Sequence, residues 1–563
     1  MTRLSVKDLI LTAIAAAGFA AFSPASYAEE AGPKAAPFSP AFLQYLETVK
    51  TRGAAETLKT GSGHWLGGIP SPVMAVAVST SAAERGNRMP GAYAASYDLR
   101  QHEKVTPVKD QGSCGSCWAY GAMASMESYF MPGETLDLSE TDLDVNSGFD
   151  RGSCNGGNDS MSAAYMTRWS GPIVAGSSEV VKHAQNIIFL PARANAADND
   201  RFKSALLAYG ALSVAILWSD GYYNPASHAY YNNASSSTNH IVTIVGWDDT
   251  YSGTNFGVTP PGDGAFLCKN SWGTSWGESG YFYISYHDII VGLYGATAFT
   301  GEGVANYTRV YSYDKLGRVM DYGFSSNTGW FSNIFTAAAT EGISAVGFYT
   351  TDSATSYTVY IYTGVTAGQP ASGTLAYSGS GSVNSSGYYT VPVGFQPVTA
   401  GQLFSVVVKA TNANYASPIP VEGTVSGYSS PVASGNSYIS ADGASWQTLV
   451  SPAANVNLKA YTNSRPPSGT VALKDNLFRP LKNPAVKCRV AVTIFSAGTV
   501  TIKAYTTNGG LVRTIYSGPQ NPGAVNYFWD GKTDNGSVVA SGLYFINVTG
   551  PGTNIVEKVL VIK

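Results

Sequence analysis

Of the five cysteines in the chain, Cys117 has the surroundings of a nucleophile. It lies in Gln111-Gly112-Ser113-Cys114-Gly115-Ser116-Cys117-Trp118-Ala119-Tyr120 and opens a run in which Trp118, Ala119, Ala122, Met126 and Tyr129 recur at helical spacing until Pro132-Gly133. A helix N-terminus stabilises a thiolate through its dipole and unpaired N–H groups, and the thiolate is the attacking species. Gln111, six residues earlier, carries a side-chain amide able to donate to an oxyanion beside the Cys117 backbone N–H. Loss of one such donor typically costs about 3–4 kcal/mol of transition-state stabilisation. The remaining requirement is a base.

The elements that must position these residues follow from periodicity. Residues 117–130 read as a helix and Phe202 to Leu207 as a second, shorter one. Strand-like runs come next: 212–216, 240–245, 265–269 and 281–284. Helices first and strands second is an α+β order. From 304 to 462 the runs are almost all β, as at 357–362, 388–393 and 404–408, which predicts a β-sandwich. Asn463-Ser464-Arg465-Pro466-Pro467-Ser468-Gly469 reads as a linker, and 499–505 and 542–548 are strands of a second, smaller sandwich. Residues 29–90 are rich in Ala, Gly and Pro. They hold one helical stretch near Phe42 and Val49, a loop-like segment at 64–73, and no apolar pattern dense enough for a core of their own.

Length and composition bound the class. A chain of 563 residues calls for three or four domains, and 44% hydrophobic against 13% charged residues excludes a disordered or coiled-coil protein. The net charge of −3 leaves no basic surplus for nucleic acid. Arg3 and Lys7, the apolar run Leu9 to Phe22 and Ser26-Tyr27-Ala28 predict a secretory signal peptide cleaved after Ala28. No further apolar run is long enough to span a bilayer, so an exported protein without a transmembrane segment is expected. An odd cysteine count leaves at least one thiol unpaired.

The Cys117 segment, with its Cys-Gly-Ser-Cys-Trp signature, resembles the papain-like cysteine peptidases. The resemblance spans 96–285 and includes Tyr97-Asp98-Leu99-Arg100, Ser153-Cys154-Asn155-Gly156-Gly157, Asn239-His240 and Lys269-Asn270-Ser271-Trp272-Gly273. It implies an α+β fold with a helical lobe and a β-barrel-like lobe. It also implies a Cys117 nucleophile, His240 as general base and acid, Asn270 orienting the imidazole, Trp272 shielding that bond, and Gln111 in the oxyanion hole. Cys117 and His240 are expected to rest as a thiolate–imidazolium pair that reacts through an acyl-enzyme. Gly156, Gly157 and Asn239 are expected to line the substrate cleft, with selectivity set in the pocket for the second residue before the scissile bond. His64 falls in the presumed propeptide, and His102, His183, His228 and His287 read as surface or loop histidines.

The same resemblance implies a Cys114–Cys154 disulfide, closing a loop worth on the order of 4 kcal/mol. A redox Cys-x-x-Cys leaves Cys154, Gln111 and the Asn-Ser-Trp motif without a use, and a zinc site lacks a second ligand pair. Cys268 and Cys488 read as buried small hydrophobes. No metal or cofactor is called for.

Ser437-Tyr438-Ile439-Ser440-Ala441-Asp442-Gly443-Ala444-Ser445-Trp446 resembles the lectin-like domain that follows some bacterial papain-like peptidases. Trp529-Asp530-Gly531-Lys532-Thr533-Asp534-Asn535-Gly536 resembles the immunoglobulin-like module named after the flagellar hook-capping protein FlgD. The reading is therefore a signal peptide at 1–28, a propeptide at 29–92, a peptidase domain at 93–302, a lectin-like sandwich at 303–462 and an Ig-like sandwich at 463–563. The expected function is that of a secreted endopeptidase made as a zymogen. Its partners are protein or peptide substrates, with carbohydrate or cell-surface contact through the β-domains. Residues 65–73 are the candidate for a segment that crosses and blocks the cleft.

Overall fold

The structure, a computed structural model, describes residues 32–52, 59–73, 93–235, 237–464, 469–495 and 497–563. The signal-peptide reading at 1–28 lies outside the described residues. No helix among the described residues is long and apolar enough to cross a membrane.

Three helices, Cys117–Phe130, Glu140–Val145 and Asp159–Thr167, form one lobe of the first domain. Ser139 and Asn158 cap the second and third with side-chain oxygens that accept from Asp142 N–H and Met161 N–H. The other lobe is a sheet in which Leu212–Ile216, His240–Asp248, Ala265–Lys269 and Tyr281–Ser285 are neighbours, as the β-rich runs predicted. The Cys117–Phe130 helix buries Trp118, Ala122, Met123 and Met126, and its apolar face packs on this sheet near Ile241. That packing brings the start of the helix to the start of the His240 strand.

The sheet continues beyond the first domain. Lys182–Leu190 pairs on one side with Ala296–Gly303 and on the other with Ser386–Val398 of the following β-region. Through Glu341–Thr350 and Leu458–Asn463 the ladder then enters that region's own core. A six-stranded sheet containing Thr328–Thr336 and Leu403–Asn412 packs against it. The final β-region stacks a three-stranded and a five-stranded sheet around Val490, Ile502, Trp529 and Ile546. Its Lys532–Val538 stretch is a closed turn, with Gly536 N–H donating to Thr533 C=O.

Among the described residues, the N-terminal segment has no core of its own and borrows one. Lys34–Ala35 pairs with Met320–Gly323, and the Pro40–Arg52 helix buries Phe42 edge-on against Tyr428, 5.2 Å between centroids. One reading is corrected. His183 is neither a loop nor a surface histidine: it lies within Lys182–Leu190, 6% exposed, stacked 3.7 Å from Trp169, with Nδ1 2.8 Å from Asn306 Oδ1. Its stacking partner is remote in sequence, so no local pattern marks its burial.

Candidate active site

Cys117 is the first residue of its helix and is fully buried. Its Sγ accepts the Ile241 N–H at 3.3 Å, which places the sulfur at the start of the His240–Asp248 strand. His240 pairs across the sheet with Ile216, and Asn270 follows directly on the Ala265–Lys269 strand. His240 Nε2 is 2.9 Å from Asn270 Oδ1, which also accepts the Ser271 N–H at 2.9 Å. Two convergent contacts identify that atom as the amide oxygen, so Nε2 carries the proton. Nδ1 is buried and has no hydrogen-bond partner, leaving its lone pair as the ring's proton acceptor.

Trp272 stacks on the imidazole at 4.8 Å, and Trp218 and Trp276 meet Trp272 edge-on at 4.9 and 5.0 Å. This indole cluster keeps water from the His240–Asn270 bond. Trp218 escaped the sequence reading; it lies just past the Leu212–Ile216 strand, and its backbone is held by the Asn239 side chain, Trp218 N–H to Oδ1 at 2.6 Å and Nδ2 to Trp218 C=O at 2.9 Å. Ser271 stood in the quoted motif without a role. Its hydroxyl donates to Gln111 Oε1 at 2.6 Å and so aims the amide nitrogen of Gln111 toward the cleft.

The cleft is occupied by residues 65–69. Gln111 Nε2 donates to Leu66 C=O at 3.2 Å and to Cys114 C=O at 2.8 Å. Trp272 Nε1 donates to Trp65 C=O at 2.9 Å. Gly67 and Gly68 N–H both donate to Asn239 C=O, while Gly157 N–H donates to Gly67 C=O and Ile69 N–H to Gly157 C=O. Gly156 contributes a close approach to Ile69. His64 lies flat on Trp272 at 4.6 Å. All the expected site residues thus converge, and Cys114 and Cys154 form a disulfide beside them.

This covering sets the electrostatics. Burial pushes the Cys117 thiol up to about 12, against the downward pull of the Ile241 and Trp118 N–H groups. Burial pushes the His240 imidazole down to about 4, opposed by Asn270 and reinforced by His64. Both shifts run against charge on the two groups while they are buried. The reason is the loss of water over both groups.

The profile described as Papain family cysteine protease matches residues 93–296. Residues 93–296 are a papain family cysteine protease domain. Profiles described as Lectin like domain and FlgD Ig-like domain match 310–462 and 488–553. Cathepsin L of Sarcophaga peregrina is 32% identical over 202 residues, 33% of this chain and 57% of that protein. Cathepsin L-like peptidase of Aedes aegypti is 31% identical over 206 residues, 33% and 56%. The chain thus spans little more than half the length of these papain family relatives. The cysteine protease and lectin-like domains of Cwp84, a surface layer associated protein of Clostridium difficile, superpose with a TM-score of 0.63 at 26% identity, covering 77% of this chain and 98% of that one.

Proposed function

We propose that the protein is an exported cysteine endopeptidase made as a zymogen, hydrolysing peptide bonds through Cys117, His240 and Asn270. The observation that carries this reading is the bond from His240 Nε2 to Asn270 Oδ1, which leaves an unpartnered Nδ1 at the strand whose next N–H touches Cys117 Sγ. Once the cleft opens, His240 Nδ1 takes the Cys117 proton and the sulfur adds to the scissile carbonyl. Gln111 Nε2 and the Cys117 N–H hold the oxyanion. Imidazolium then protonates the leaving amine, and water deacylates the thioester with His240 again as base.

The strap supports the zymogen reading. Leu66 C=O occupies the place of the oxyanion, and the chain runs on past Gly157 in parallel register. A substrate with its carbonyl there has the residues that pair with Gly157 before the scissile bond, not after it. The strap therefore fills the cleft with reversed polarity and presents no cleavable bond. The lectin-like and Ig-like regions serve attachment to a cell-surface or carbohydrate partner, in keeping with the surface-layer association of the clostridial protein.

The test is to treat the purified precursor and its Cys117→Ala variant with a peptidyl epoxide, before and after limited proteolysis of residues 29–92. Labelling at Cys117 with dipeptide-amide turnover, both lost in the variant, is the expected result. Absence of label and turnover after strap removal would leave a binding protein on an inert peptidase scaffold.

A further inference from the structure

A cavity of about 370 Å³ opens beside Cys117, between the catalytic domain and the lectin-like region. Ile69 of the strap, Asp159, Ser213, Ala215, Ile241 and Thr297 line it. Asp159 opens the Asp159–Thr167 helix two residues after Gly157, which pairs with the strap backbone. Its carboxylate accepts the Ser213 hydroxyl at 2.8 Å and a bond from Thr297. No basic side chain among the described residues pairs with it. Arg318 lines the same cavity, but its guanidinium is held by Asp321 at 2.6 Å. Asp159 is half-buried against the cavity, and desolvation of its carboxyl there raises its pKa to about 6.

Two hydroxyl donors leave the charge of a half-buried carboxylate that faces a cavity unbalanced; a cation entering the cavity would balance it. We infer that this cavity receives the side chain of the second residue before the scissile bond and that Asp159 makes the enzyme prefer lysine or arginine there. The inference rests on the peptidase reading and deepens it by naming the substrate class: extended peptides cationic at that position. The apolar walls, Ala215 and Ile241, accept the aliphatic stem, and the charged end reaches the carboxylate. In the precursor, Ile69, Pro70 and Ser71 of the strap line this cavity.

The strap-free enzyme would be given paired dipeptide amides differing only in lysine or norleucine at that position, in direct competition near pH 7.5. Competition cancels the ionisation of Cys117 and His240, leaving the occupant of the cavity as the difference. The expected kcat/KM ratio favours lysine by about tenfold or more, and Asp159→Asn brings it to within about twofold of one. Should that variant not fold, the wild-type ratio read from pH 7.5 down to 5 serves instead. It should decline as Asp159 takes up a proton, Arg318 being fixed in its own ion pair. Turnover of both substrates with a ratio near one at pH 7.5 overturns the Asp159 assignment and leaves the peptidase intact. Absence of turnover together with absence of epoxide labelling overturns the peptidase reading itself.

Discussion

The side-chain amide of Gln111 donates to the carbonyl oxygen of Leu66 at 3.2 Å, so the group proposed to hold an oxyanion is engaged by the protein's own N-terminal segment. The same amide is braced from behind by the Ser271 hydroxyl at 2.6 Å. A donor fixed before the reaction begins needs no reorganisation as charge develops, which is the source of its catalytic value.

Replacing Gln111 by alanine should therefore lower kcat of the strap-free enzyme about 10²- to 10³-fold with KM little changed. Ser271→Ala, which removes only the brace, should cost less. Steady-state kinetics on active-site-titrated enzyme decides this; equal losses in KM and kcat would place Gln111 in substrate binding instead.

The strap's grip depends on a close backbone approach. A Cβ on Gly68 would sit 2.7–2.9 Å from the His240 backbone, with no flexible side chain there to give way. Gly68→Val is expected to destabilise the closed strap by about 1–3 kcal/mol. That raises the open fraction, and the rate of epoxide labelling of intact precursor, about 5- to 150-fold. An unchanged rate would mean that residues 65–69 do not limit access to Cys117.

Much of this site was legible in the sequence because its parts are local. The Cys117 helix announces itself by periodicity, the His240 and Asn270 strands by β-rich runs, and Gln111 by its distance from Cys117. What was not legible is carried by partners far along the chain. Phe42 finds Tyr428, and His183 finds Trp169 within a strand that also pairs with Ser386–Val398. Asp159 carried no expectation in the sequence, and only the fold sets it against the cavity. Ser271 and Trp218 likewise acquire their roles from tertiary contacts with Gln111 and Trp272.

The pH behaviour of the closed precursor follows from His240. Its folded pKa, about 4, lies below the ordinary histidine value of 6.5, so the unfolded or open state binds more protons between those limits. The contribution of this group to the closed form is complete above pH 6.5 and is lost as pH falls toward 4. At the other end, the Cys117 thiol raised to about 12 keeps the sulfur protonated through neutral pH. Ring-carbon NMR of histidine-labelled Cys117→Ala precursor should show one imidazole titrating near 4, moving upward when residues 29–92 are removed. An imidazole titrating near 6.5 in both forms would contradict the burial argument.

Docking of the lectin-like region onto the catalytic domain turns on another backbone contact. Gly387 lies opposite Ile188 in the shared ladder, and a Cβ there would come within 2.2 Å of the Ile187 carbonyl oxygen. Asn186 Oδ1 reinforces the seam by accepting the Thr390 N–H at 3.1 Å. Gly387→Val should force these strands apart, and calorimetry should then resolve the two regions as separate transitions with the lower Tm reduced. Phe189, Leu190 and Ser386 also wall the cavity beside Cys117. Separation should therefore raise KM for dipeptide amides while leaving kcat close to that of the parent, because the Cys117 helix and the strands that carry His240 and Asn270 lie outside the seam. A single transition with unchanged KM would show that the two regions are held by their other contacts and that the shared ladder does not shape the cleft.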